Sequence, residues 1–157
     1  MSLVLIRIDD RVIHGQVVEG WARVLRIKHI LVVDEAICKD DMRKMLYCMA
    51  VPNTMKVSFK TIKEAAQQVK QHEFDPVRTL VLFSEPAAVL EFVKLGVQIK
   101  SINVGGIHYD EGKRQVLKFV SVTPDDVEVF HQLAEQGIEV EARAVPTDEK
   151  IPLLRYL

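Results

Sequence analysis

The chain has 157 residues, 48% hydrophobic and 27% charged, with 21 basic and 22 acidic side chains and a formal net charge of -1. That length and apolar share suit one domain with a substantial core, so a single unit over residues 1–157 is expected, and the interspersed charge excludes the broad basic field that binds nucleic acid. The N-terminus has no signal-peptide pattern, and no apolar run approaches the ~20 residues that cross a bilayer, so a cytoplasmic protein is expected.

Apolar residues 3–8 read as a strand. Val17, Val18, Trp21, Val24 and Leu25 then recur at helical spacing, which predicts a helix over 15–25. Residues 29–34 form a second strand; its continuous run Ile30-Leu31-Val32-Val33 indicates cover on both faces. Residues 40–50 read as helix, closed by Pro52-Asn53. Cys38 and Cys48, the only cysteines, lie in this helical region. A continuous helix would hold them about three turns apart, too far for a disulfide, and without a Cys-x-x-Cys pair they read as buried thiols. Residues 55–59 make a short strand. Thr61 caps a helix with the apolar stripe Ile62, Ala65, Ala66 and Val69.

Residues 79–83 are another buried strand, and Glu85-Pro86 opens a helix through Leu95 that Gly96 stops. A fifth strand over 98–104 is broken by Gly105-Gly106. After a polar loop, 116–122 reads as one strand. Thr123-Pro124-Asp125-Asp126 is a cap followed by proline and acids, and the helix it starts runs to Gly137. Residues 138–143 give a last strand, and Pro146 onward a tail with a short helix. The alternation predicts an open α/β fold with a mainly parallel sheet and helices on both faces. Ligands in such sheets bind outside the carboxyl ends of the strands. The loops at 9–14, around Ser84 and at 105–108 should share that edge.

The segment Ile8-Asp9-Asp10-Arg11-Val12-Ile13-His14-Gly15-Gln16 carries the most chemistry. It sets His14 on a strand-to-helix joint, where free backbone N–H groups and the helix dipole favour an anion. A loop histidine alone reads as a satisfied polar side chain. Arg11 beside it disfavours imidazolium, leaving a lone pair for attack, and its guanidinium suits phosphate oxygens. Asp9 and Asp10 read as capping or turn residues, or as groups that orient Arg11 or fix the His14 tautomer. Gln16 is an exposed helical residue or an amide donor. Gly105-Gly106 is a turn, or a place where phosphate or backbone comes close. The expected phosphate-binding surface comprises Asp10, Gly15, Gln16, Ser84, Gly105 and Gly106. His108 reads as a loop residue, with a second acid/base or a metal ligand as the sharper alternative; His29, His72 and His131 read as structural. Lys113-Arg114-Gln115 is a basic turn that could also hold phosphate or an acidic partner. Phosphate-cradling, dinucleotide-binding and nucleophile-elbow glycine motifs are absent.

The segment from Ile8 to Gln16 resembles the N-terminal signature of IIB components of the mannose/fructose/sorbose family of the bacterial sugar phosphotransferase system. The similarity continues through Val32-Val33-Asp34, Asn103-Val104-Gly105-Gly106-Ile107-His108-Tyr109, Gly112-Lys113-Arg114-Gln115 and Val120-Ser121-Val122. The resemblance implies a mainly parallel α/β sheet with an antiparallel edge strand. It also implies a phosphotransferase with His14 as covalent phosphohistidine and Arg11 as phosphate ligand. His14 would accept the group from phosphorylated IIA and pass it to sugar entering through the membrane components IIC and IID, with which the protein would associate peripherally. No metal or organic cofactor is implied. Apolar sheet edges leave a homodimer open. A regulatory protein whose His14 phosphorylation controls a partner would use the same residues, and a metal-dependent hydrolase using Asp10, His14 and His108 is a third reading.

Overall fold

The structure is a computed structural model and describes residues 3–157. A seven-stranded sheet runs in the order β3-β2-β4-β1-β5-β8-β9. Its strands are β1 (Leu3–Asp9), β2 (His29–Val33), β3 (Lys56–Lys60), β4 (Thr79–Phe83), β5 (Ser101–Gly106), β8 (Glu139–Ala142) and β9 (Ile151–Pro152). All neighbouring pairs are parallel except β8 with β9. The mainly parallel sheet with an antiparallel edge is therefore present. Every residue of β2 and β4 is buried, as continuous apolar runs require.

The period-2 alternation of side chains divides the core. Leu31, Val33, Val81 and Phe83 face α3 (Ile62–Lys70), α4 (Pro86–Lys94) and α5 (Pro124–Glu135). Ile30, Val32, Leu80 and Leu82 face the helical segment Gln16–Ala22 and α1 (Glu35–Cys38). Caps fall where the sequence sets them. Thr61 accepts from Glu64 N–H, and Thr123 and Asp126 bond reciprocally in a capping box. Among the described residues no helix is long and apolar enough to cross a membrane.

Four expectations are corrected. The segment Gln16–Ala22 is wound as a π-helix, with Val17, Val18, Trp21 and Ala22 buried. Reaching back five residues instead of four widens the turn, so a seven-residue spacing no longer returns to the same face, and Val24 is exposed. The helix expected over 40–50 is α2 (Asp41–Met49), set off from α1 by separate caps at Asp34 and Asp40. It contributes no buried residue, so Cys48 is exposed rather than a core thiol, and Cys38 is half-buried. Gly105 and Gly106 do not break the fifth strand but end it inside the ladder, Gly106 opposite Asp9. Residues 98–100 stay outside because β1 joins β5 only from Arg7, and β8 only from Ser101. The single strand expected over 116–122 is a hairpin, β6 (Arg114–Leu117) and β7 (Val120–Val122), whose turn lets Val120 and Val122 fold back onto the core. The tail forms β9 before a 3₁₀ turn at Leu153–Tyr156.

Two buried polar features invite tests. A Cβ on Gly105 would lie 1.9 Å from Cζ of the fully buried Arg7. Gly105→Ala should therefore displace the guanidinium and cost about 3 kcal/mol in urea unfolding. His29 opens β2 at 4% exposure. Thr79 donates its hydroxyl to the Val77 carbonyl, so Nδ1–H of His29 donates to Thr79 and Nε2 accepts from Ser58 at 2.8 Å. Burial, helped by Lys56, lowers this histidine from 6.5 to about 4. The unfolded chain takes up the proton first as pH falls, so stability should drop by up to about 3 kcal/mol between pH 6.5 and about 4. That slope should flatten in His29→Gln when unfolding is followed across pH.

Candidate functional site

The site begins inside β1. Alternation puts Arg7 and Asp9 on one face of the strand, both fully buried. Arg7 donates from Nη1 to Asn103 Oδ1 at 2.5 Å and to the Arg143 carbonyl at 3.0 Å. From Nη2 it donates to Asp9 Oδ2 and to the Ala144 carbonyl, each at 3.0 Å. Its guanidinium lies over the Trp21 ring at 5.1 Å, with Arg143 on the same ring at 4.8 Å. Trp21 Nε1 donates to the Ala144 carbonyl, and Glu141 accepts from Asn103 and Arg143. Each charged side chain in this network has an ion-pair or hydrogen-bonding partner, the condition for keeping charge in a core, although Arg7 Nε is buried with no acceptor among the described residues.

Asp9 carries that anchor to the surface. Its Oδ2 also accepts from His14 Nε2 at 2.8 Å, and its Oδ1 meets Arg11 at the backbone N (3.2 Å) and at Nε (3.4 Å). Burial alone would raise the carboxyl, but the bond from His14 and the charges of Arg7, His14 and Arg11 outweigh it and hold Asp9 below the usual carboxylate range. The carboxylate thus accepts from Nε2–H, and a neutral His14 ring has its lone pair on Nδ1, which has no hydrogen-bond partner among the described residues. The His14 side chain is 16% exposed and that of Arg11 50%, so both reach solvent from a buried base.

The expected residues divide by geometry. Asp9 performs both functions weighed for the acidic pair, orienting Arg11 and His14. It, rather than Arg11, touches the imidazole. Asp10 turns the other way, accepting from His108 N–H at 2.8 Å and from His108 Nδ1. Gln16 accepts from Arg11 Nη2 at 3.0 Å, which leaves its amide NH₂ free to donate. Gly15 opens the helical segment with open space where a Cβ would stand. Gly106 faces Asp9 and Arg11, while Gly105 leaves room for Arg7. Arg11, Gln16, Gly105, Gly106 and His108 line one cleft of about 400 Å³ that continues to Gln115 and Lys118 on the hairpin. Ser84 lies outside it; its hydroxyl donates to the Asp34 cap at 2.5 Å. Asp10 and His14 contact different partners, and among the described residues no group of three or more metal-ligating side chains occurs.

Arg7, Asn103, Glu141, Arg143 and Trp21 were not recognised as site residues from sequence. The available signal was charge at i and i+2 inside apolar strands, Arg7 with Asp9 and Glu141 with Arg143. Such spacing puts both charges on one face, where a core must neutralise them.

Comparison with known proteins agrees with this architecture. Residues 3–157 match the family described as "PTS system sorbose subfamily IIB component". The fructose-specific EIIB component of Bacillus subtilis is 36% identical over 157 residues, covering 100% of this chain and 96% of the relative. The mannose-specific EIIAB component of Escherichia coli K12 is 36% identical over 154 residues, 98% of this chain but 48% of that longer protein. The crystal structure of the IIBSor domain of the Klebsiella pneumoniae sorbose permease superposes with a TM-score of 0.93 at 33% identity, covering 99% and 96% of the two chains. A family match along nearly the whole chain, together with a shared fold, means that this protein belongs to the sorbose subfamily of phosphotransferase-system IIB components.

Proposed function

We propose that His14 is the phosphoryl-carrying residue and that Nδ1 is the atom that carries it. As a IIB component the chain accepts phosphate from IIA and transfers it to sugar. The observation that supports His14 is its Nε2 contact with buried Asp9, which directs the other ring nitrogen outward. In the proposed step, the Nδ1 lone pair attacks phosphorus as the P–N bond of the donor phosphohistidine breaks, its electrons returning to the donor ring. The His14 ring gains positive charge while Nε2 keeps its proton, and Asp9 compensates that charge. Arg11 and the Gln16 amide meet the phosphoryl oxygens from the solvent side.

Exchange of one phosphoramidate for another is nearly balanced in free energy, so positioning and charge compensation are the protein's main contribution. Asp10 lines the same cleft as Arg11 and Gln16 and supports it by holding His108. The donor is a IIA protein or domain; the Escherichia coli relative named EIIAB joins the two on one chain. The acceptor side is the IIC/IID membrane pair, reached by peripheral docking.

Incubation with phosphoenolpyruvate, the general phosphotransferase proteins and a matched IIA should label the chain once, in an acid-labile form, on His14. His14→Ala should take up none; normal uptake by that variant would remove the assignment. Arg11→Ala should fold normally, because its side chain is half exposed, and slow uptake about 100-fold in rapid-quench measurements. Asp9→Asn should slow it by a similar factor of about 100 and destabilise the fold, since it leaves Arg7 without its buried counter-charge.

A further inference from the structure

Val12, two residues before His14, has φ +63. Two other non-glycine residues have positive φ among the described residues, Arg26 and His72, and each follows the end of a helix, where a left-handed residue is ordinary. Val12 is different in three respects. It is β-branched, the side-chain type least suited to that conformation. It is 1% exposed and belongs to the core cluster that includes Ile13, Val17 and Leu82. It also stands between the two side chains that the proposed transfer uses.

The backbone reverses there. Val12 N–H donates to the Asp9 carbonyl at 2.9 Å, closing a turn that returns the chain toward the carboxylate it has just left. That reversal allows one carboxylate to hold Arg11 on Oδ1 and His14 on Oδ2. Glycine or asparagine would adopt the same backbone with less strain but would give the turn little or nothing to bury. Valine opposes the conformation through its backbone and enforces it through its side chain, an outlier maintained because the surroundings over-determine it.

We infer that Val12 is a positioning residue for phosphoryl transfer: its buried isopropyl group clamps a left-handed turn that fixes His14 and Arg11 relative to Asp9. This rests on the proposed role of His14. The clamp acts before any partner arrives and restricts the ring to one tautomer and one direction of attack.

The test compares Val12→Gly, which frees the turn, with Val12→Thr, which keeps the branched shape but buries a hydroxyl and so lowers stability. In Val12→Gly, the rate constant for phosphoryl uptake from phosphorylated IIA should fall about tenfold with KM unchanged. The His14 ring ¹⁵N signals should move from one tautomer toward an average of two. Val12→Thr should lose thermal stability yet retain the rate to within about twofold and keep the single tautomer. A wild-type rate and tautomer in Val12→Gly would overturn the inference, as would losses in both variants that follow their stability. Were the unaltered chain to take up no phosphate at all, the His14 reading would fail, while the ring signals of the variants would still decide whether Val12 sets the tautomer.

Discussion

The Asp9 carboxylate is the charge around which this molecule is arranged. It is fully buried, a position that an isolated carboxylate occupies only at a cost of several kcal/mol. Three groups offset that cost: Arg7 from beneath, Arg11 from the side and His14 from above. Remove the lower cation and the carboxylate is stranded; remove the carboxylate and the guanidinium is stranded. The imidazole therefore stands on an ion pair that the fold can neither lose nor displace cheaply, and its orientation is tied to the core.

The sheet makes this possible at one place. β1 lies between β4 and β5, so a charge on its inner face can be reached from the far end of the chain. Arg7 bonds to Asn103 on β5 and to carbonyls just beyond β8, positions that only a parallel arrangement brings level with the carboxyl end of β1. The missing side chain at Gly105 opens the space for the guanidinium, and Trp21 on the π-helix closes it. The winding of that helix serves the same end. It keeps Trp21 and Val17 on the buried side together while turning Val24 outward.

Local signals were legible in the sequence, and long-range compensation was not. Runs of β-branched and aliphatic residues marked β2 and β4, and Thr61 and Thr123 marked helix starts, because each pattern records a force that acts within a few residues. His14 and Arg11 were legible as candidate site residues for the same reason. Arg7 was not, since Asp9 is its one close partner in the sequence and the carbonyls and amide that complete its shell lie 96 and more positions away, so that only the i, i+2 spacing with Asp9 hinted at a buried cation. The π-helix escaped because its side chains also satisfy an α-helical spacing until Val24. The hairpin at 114–122 escaped because a two-residue turn of Lys118 and Phe119 lacks the glycine or asparagine that usually announces one. The glycines of β5 were legible as a place of close approach, but the group that approaches is the protein's own arginine.

A carrier that receives a group from one protein and gives it to another faces a constraint that an enzyme with its own pocket does not. If His14 carries the group, as proposed, two unlike partners must find the same nitrogen, in the same direction, at different times. A flexible loop would have to be ordered afresh in each encounter, at the expense of rate in both. Here the proposed acceptor ring, His14, is tied to a buried carboxylate, that carboxylate to a buried arginine, and the arginine to β5 and to the segment just beyond β8. The outer half of Arg11, the Gln16 amide and the His14 edge are left for a partner to meet, beside the exposed His108. Rigidity at the base and exposure at the tip are thus complementary requirements of the same task. The place where the chain accepts backbone strain, between Arg11 and His14, is where a looser turn would separate them.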